Sequence, residues 1–181
     1  AGTVLLTDGS GTVGPPLDGG PAKWRAEKPV LEKGHFRKAP QRLTLGKKRN
    51  DVRTLADVKA NLASKGEQLV DARGPARFSG EEAETRAGLA SGHIPGSVNL
   101  HYQRLFNADG TWKRGQALRD AFIDAGVDLD CPMITTCGSG ITASVLLFGA
   151  HLLGKEDTAL YDGSWTEWGA NASTPKATGR A

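Results

Sequence analysis

Pro132-Met133-Ile134-Thr135-Thr136-Cys137-Gly138-Ser139-Gly140-Ile141-Thr142-Ala143 is the stretch on which the fold turns. Residues 132–136 form an apolar run of strand length, and residues 140–153 place Ile141, Val145, Leu146, Gly149, Leu152 and Leu153 at helical spacing. A strand that hands over to a helix through Cys-Gly-Ser-Gly puts a thiol where the N–H groups of the turn and the positive end of the helix converge. Such a loop stabilises a thiolate and can cradle the anion its chemistry leaves behind. A buried, inert cysteine beside a tight turn is the alternative for the same residues. The loop's glycines and hydroxyls are poor core material and weigh against it.

Outward from this run, strands and helices alternate. A helix starts at Thr54 and runs to Ser64 with Leu55, Val58 and Leu62 as its apolar face. Residues 68–71 and 98–100 read as strands, 116–125 as a helix ended by Gly126, and 159–161 as a further strand. Residues 73–93, polar and glycine-containing, read as one long functional loop. The alternation predicts an α/β domain with a mostly parallel sheet and helices on both faces, with Cys137 at the carboxyl end of a strand, where such sheets hold ligands. Residues 1–50 mix Gly, Pro and charge without a sustained period, with a hint of strand at 4–6 and of a helical turn at 23–26. The expected division is therefore an irregular segment over 1–50, a compact body over 51–172 and a polar tail over 173–181.

Composition excludes more than it assigns. Charged residues make up 24% and hydrophobic ones 38%, and no run approaches the roughly 18 apolar residues of a membrane span, so no membrane partner is expected. A formal charge of +3, with Lys47-Lys48-Arg49 unaccompanied by stacking aromatics, reads as a solvated connector rather than a nucleic-acid surface. Cys131 and Cys137 flank one strand, which at roughly 3.3 Å per residue separates them by about 20 Å, beyond disulfide reach. Free thiols and the lack of a signal-like start over residues 1–14 point to a reducing, cytoplasmic setting, or a mitochondrial one if a presequence is removed. The few histidines and two cysteines show no ligand spacing, so neither a metal nor another cofactor is expected.

One internal echo bears on the architecture. Leu17-Asp18-Gly19-Gly20-Pro21-Ala22-Lys23-Trp24 and Tyr161-Asp162-Gly163-Ser164-Trp165-Thr166-Glu167-Trp168 share an Asp-Gly pair and a final Trp. Each reads as a strand end, a turn and a short helix anchored by tryptophan. Coincidence over so short a span and descent from a duplicated domain both remain open.

Five motifs in order carry a resemblance: Leu69-Val70-Asp71-Ala72-Arg73, then Arg77-Phe78, Gly92-His93-Ile94-Pro95-Gly96-Ser97-Val98-Asn99, the Cys137 loop, and Tyr161-Asp162-Gly163-Ser164-Trp165. Over about 54–172 the chain resembles the second, catalytic domain of the tandem rhodanese-type sulfurtransferases, and its neutral loop resembles that of the mercaptopyruvate branch. The resemblance implies a rhodanese-like fold, with residues 1–50 as the remnant of a first domain and its linker. It also implies sulfur transfer from 3-mercaptopyruvate through a Cys137 persulfide to a thiol or cyanide acceptor, such as a thioredoxin-like protein, with release of pyruvate. Thiosulfate-preferring members typically carry basic residues after the cysteine, where this chain has Gly138 and Ser139. Cysteine phosphatases need an arginine to clamp phosphate where this chain has Ala143.

On this reading Cys137 is the nucleophile and the backbone of Gly138, Gly140, Ile141 and Thr142 holds the persulfide. Ser139 either relays a proton or is only a turn hydroxyl. The resemblance assigns Arg77 and Arg86 to the donor's carboxylate and keto oxygen, a task suited to planar guanidinium groups. It leaves His93 and Asp71 as turn-ordering residues, Cys131 as inert, and Trp165 and Trp168 as packing anchors. The alternatives are a thiosulfate sulfurtransferase, or a weakly active or non-catalytic module that serves as a sulfur carrier or interaction domain.

Overall fold

The computed structural model describes residues 6–7, 13–14, 18–28 and 51–179. Lys47-Lys48-Arg49 lies outside them. The chain divides into two compact units, Ala1–Arg49 with Phe106–Trp112, and Asn50–Leu105 with Lys113–Ala181. In the first, β1 (Leu6–Thr7) pairs antiparallel with β2 (Val13–Gly14), and α1 spans Gly20–Ala26. There the backbone N–H of Trp112 donates to Asp18 Oδ1 at 2.9 Å.

The second unit is a parallel sheet of β3 (Val52–Arg53), β4 (Gln68–Asp71), β5 (Val98–Asn99), β6 (Met133–Thr136) and β7 (Thr158–Tyr161), in the order β3-β7-β6-β4-β5. Its helices are α2 (Leu55–Ser64), α3 (Pro75–Ser79), α4 (Gly115–Ile123), α5 (Ile141–Leu152) and α6 (Ser164–Trp168), with a 3-10 turn at Tyr102–Leu105. Parallel crossovers are right-handed, so helices on connections running in opposite directions cover opposite faces. The connections carrying α2 and α3 step one way along the sheet and those carrying α4 and α5 step back. Both faces are therefore covered, as the alternation in the sequence predicts.

That reversal fixes the site. The connection leaving β4 and the one leaving β6 depart in opposite directions, and β4 and β6 are neighbours paired Asp71 to Thr136. A crevice opens where such strands diverge, at their carboxyl ends. Cys137 follows β6 directly and Arg73 follows β4.

Period-two alternation distributes the core. Leu69 and Ile134 join Val58, Ile94, Tyr161, Trp165 and Trp168 in one cluster, with Leu55, Leu62 and Leu89 packed at its margin. On α5, Ala143, Leu146, Gly149 and Ala150 are the buried positions. The apolar face expected to include Ile141 is thus rotated. Ile141 is 74% exposed, standing as the first helical residue at the end of the sheet where the strands' carboxyl ends lie. Thr54 caps α2 as a capping box, its hydroxyl accepting from Asp57 N at 3.3 Å while Asp57 Oδ2 accepts from Thr54 N at 2.8 Å.

Two further expectations change. Residues 73–93 are not all loop, since Pro75 fixes the first turn of α3 and Gly80, at φ +83°, ends it in the left-handed region. The described part of 173–181 is not a free tail either. Thr174 Oγ1 donates to Trp168 O at 2.5 Å, Trp168 Nε1 to Pro175 O at 2.8 Å, and Gly179 N to Ser79 O at 2.8 Å. His93 and Ala177 exchange backbone bonds at 2.8 and 3.0 Å. The segment is polar because it satisfies polar groups, and it straps the end of α3 to the body. Among the described residues no helix is long and apolar enough to cross a membrane.

Candidate active site

The cysteine loop is fastened by its backbone to the start of α6. Cys137 N donates to Ser164 Oγ at 3.2 Å, Trp165 N to Cys137 O at 2.9 Å, and Thr166 N to Gly138 O at 2.9 Å. Thr166 Oγ1 adds a second bond to Gly138 O at 2.6 Å. With the carbonyls of Cys137 and Gly138 drawn towards α6, the loop is held from one side by a neutral scaffold. Ser164 completes the clamp by donating to Tyr161 O at 2.8 Å, and it does so at φ +50°, a conformation that costs a non-glycine residue of order 1 kcal/mol. Gly140, at φ +83°, closes the other end: a Cβ there would sit 2.8 Å from Asp162 Oδ1 and 3.0 Å from its carbonyl oxygen.

Within this loop the Cys137 side chain is buried, and Ser139 N donates to its Sγ at 3.4 Å. The loop opens into α5, whose unpaired first N–H groups lie just beyond Gly140. Gly138, Ser139 and Thr142 are half-buried around the thiol, Gly140 is buried, and the Ile141 side chain points to solvent. The buried Thr136 Oγ1 just before the cysteine has no partner among the described residues. Cys131 differs in its surroundings. It is exposed, and its Sγ donates to Asp128 Oδ2 at 3.2 Å, which pushes its pKa up and keeps it a thiol. Both cysteines are free.

Both arginines expected at the site stand beside the loop. Arg77 reaches it from α3, with Nη2 3.4 Å from where a Cβ on Gly138 would be. Arg77 is ion-paired with Glu84 Oε2, whose hydrogen bond holds the guanidinium pKa above its ordinary value. Arg86 Nη1 donates to Thr166 Oγ1 at 2.9 Å, and the same hydroxyl bonds Gly138 O, so Arg86 is linked to the cysteine loop through one side chain.

Behind Arg77 lies a buried charge cluster of which sequence reading gave a role only to Asp71, as a turn-ordering residue. Arg73 bonds Asp71 through Nε (3.2 and 3.0 Å) and Nη2 (2.7 Å), Gly92 O through Nη2 (2.8 Å) and Glu84 Oε1 through Nη1 (2.7 Å). Its guanidinium carbon stands 4.6 Å from the Trp165 ring centroid. His93 is structural: its Nδ1 pairs with Phe78 O at 2.8 Å and its ring stacks on Phe78 at 3.8 Å. Ser164 and Thr166, within and next to a quoted motif, and Glu84, between the two arginines, were the residues missed. A hydroxyl after an Asp-Gly pair and an acid flanked by arginines were the available signals.

A free cysteine thus sits in a backbone-built loop at a topological switch point, with two arginines beside it. Residues 54–171 match the Rhodanese-like domain family, and the chain belongs to that family. It is 40% identical over 152 residues to human 3-mercaptopyruvate sulfurtransferase, which covers 84% of this chain and 51% of that protein. It is 41% identical over 153 residues to rat thiosulfate sulfurtransferase, covering 84% and 52%. The crystal structure of the Tum1 protein from Saccharomyces cerevisiae superposes with a TM-score of 0.66 at 30% identity, over 72% of this chain and 47% of that one. The chain thus spans about half the length of the curated relatives it matches.

Proposed function

We propose that this chain is a sulfurtransferase that takes sulfur from 3-mercaptopyruvate onto Cys137. The Cys137 thiolate attacks the donor sulfur as the carbon–sulfur bond breaks. The bond's electron pair passes to carbon as the pyruvate enolate, which takes up the proton of the donor thiol, so pyruvate leaves and a Cys137 persulfide remains. An acceptor thiolate, on a small molecule or a thioredoxin-like protein, or cyanide then attacks the outer sulfur and frees the Cys137 thiolate. Loop N–H groups from Gly138 to Thr142 hold the persulfide, Arg77 and Arg86 seat the donor's carboxylate and keto oxygen, and Ser139 carries the proton. The observation that carries this reading is the buried Cys137 thiol receiving Ser139 N, with Arg77 against Gly138.

Thiosulfate as donor is the second reading, favoured by the equal similarity to the rat thiosulfate sulfurtransferase. Gly138 and Ser139 support the first, since a loop without cations suits a monoanionic donor better than a dianionic one. Intact-mass measurement after separate incubation with each donor decides. One added sulfur atom on the native chain but not on Cys137→Ser, with faster loading from 3-mercaptopyruvate and stoichiometric pyruvate, is the expected result. No adduct from either donor rejects sulfur transfer.

We also infer that residues 1–50 are the remnant of a first domain related to the body, together with its linker. Gly20 begins α1 at φ +63° and Ser164 begins α6 at φ +50°, the same position of the internal echo, and each helix carries a tryptophan four residues on. A compartment that keeps thiols reduced, cytoplasmic or mitochondrial, fits a reaction that starts from a free Cys137.

A further inference from the structure

Glu84 is the hinge of the buried charge cluster. Its side chain is 2% exposed and that of Arg73 1%, and its two oxygens are divided between Arg73 Nη1 and Arg77 Nη2. A carboxylate so far from water is tolerated only because guanidinium groups share it. Asp71, Arg73, Glu84 and Arg77 form a chain of alternating sign with no net charge. Three of the four are locked in the body, Arg73 by Asp71, Gly92 O and the Trp165 ring. Only Arg77, 28% exposed, reaches out of the cluster to the cysteine loop, and its buried Nε has no partner among the described residues. Glu84 therefore restrains Arg77 through one terminal nitrogen while the rest of the partly exposed guanidinium faces the cysteine loop.

We propose that Glu84 is a positioning residue for substrate capture: it fixes the plane of the Arg77 guanidinium so that its partly exposed terminal nitrogens, beside Gly138, meet the carboxylate of a 2-oxo acid next to Cys137. A free arginine would lose several rotamers on gripping its ligand, whereas one already held by a rigid carboxylate loses little. Repulsion between Glu84 and the incoming carboxylate is limited because Arg73 already neutralises one of its oxygens. The proposal rests on the sulfurtransferase reading for the identity of the donor, but not for the binding of a 2-oxo acid.

The test titrates pyruvate, the 2-oxo acid itself, calorimetrically into the Cys137→Ser chain and into the same chain carrying Glu84→Gln, Arg77→Ala or both. Gln keeps the shape and can accept from one arginine only. Glu84→Gln is expected to weaken pyruvate binding at least tenfold, Arg77→Ala at least as much, and the double variant no more than Arg77→Ala alone, because Glu84 acts through Arg77. Glu84→Asp, which keeps the charge, should recover part of the loss. Thermal unfolding of each variant is recorded in parallel. A fall in melting temperature with unchanged pyruvate affinity, additive losses in the double variant, or no pyruvate binding by the parent chain each overturns the proposal. Pyruvate binding that follows the expected pattern in a chain whose native form takes up no sulfur rejects sulfur transfer and leaves the role of Glu84 standing.

Discussion

The two halves of the site are built from opposite materials. The cysteine loop is held by neutral bonds, in which main-chain groups of Cys137 and Gly138 meet Ser164, Trp165 and Thr166 of α6. The arginine side is held almost wholly by charged side chains, Asp71, Arg73, Glu84 and Arg77 in one buried relay. A backbone scaffold tolerates changes of side chain except where geometry forbids a Cβ. A buried charge relay does not tolerate the loss of one partner, because the others stay buried and uncompensated. Damage to the first should therefore appear mainly in chemistry, and damage to the second in stability where it strips a buried partner and in substrate binding where it frees Arg77.

The largest effect tests the charged side. Arg73→Met leaves Asp71 and Glu84 without their shared cation and should cost about 3–5 kcal/mol in denaturant unfolding, the usual result of breaking a buried pair from one side. A loss under about 1 kcal/mol would place the relay among ordinary surface pairs and dissolve the contrast. Next comes the neutral side. Gly140→Ala forces a side chain into the left-handed region and against Asp162, and should cost about 2 kcal/mol while suppressing Cys137 sulfur loading out of proportion to stability. Equal losses in loading for Gly140→Ala and for an equally destabilising core variant would show that the loop has no special geometry.

Two smaller effects sharpen the contrast. Arg86→Ala removes a link that runs through the Thr166 hydroxyl, so donor KM should rise several-fold with melting temperature nearly unchanged; unaltered kinetics would confine Arg86 to the surface. Thr54→Ala, remote from both regions, should cost about 1 kcal/mol through the lost cap of α2 and leave sulfur loading intact. Hydrogen bonds from Thr54 N and its hydroxyl hold the Asp57 carboxyl below the usual carboxylate range. A carboxylate with a depressed folded-state pKa stabilises above its unfolded value and loses that contribution as pH falls through the folded one. The difference between native and Thr54→Ala chains should therefore shrink on acidification, which unfolding curves at neutral pH and below pH about 3 would check.

Legibility in the sequence divides along the same line. β4, β6, the start of α2 and the cysteine loop are local objects, each written in a short run by strand-forming residues, a Thr-x-x-Asp cap or a Cys-Gly-Ser-Gly turn. They were readable to within a residue or two. β3 was not, because two residues on a sheet edge, with Val52 more than half exposed, carry no periodicity. Ile141 looked like a core position because spacing gives an apolar stripe but not which flank of it the sheet covers. The relay was invisible for a different reason. Arg73, Glu84 and Asp71 meet only after α3 and the following turns fold back on the end of β4, and nothing in a polar stretch distinguishes a buried acid from a solvated one. Both arginines could be named because a resemblance supplied them, whereas the carboxylate that ties one of them down required the geometry.

The strap formed by Thr174, Pro175, Ala177 and Gly179 has a consequence for synthesis. A ribosome makes α3 early in the body and this segment after every other described part of it, yet Gly179 is bonded to the last residue of α3 and Ala177 to the histidine stacked beneath it. The end of α3 therefore gains its closing bonds only once residues 174–179 have joined the fold.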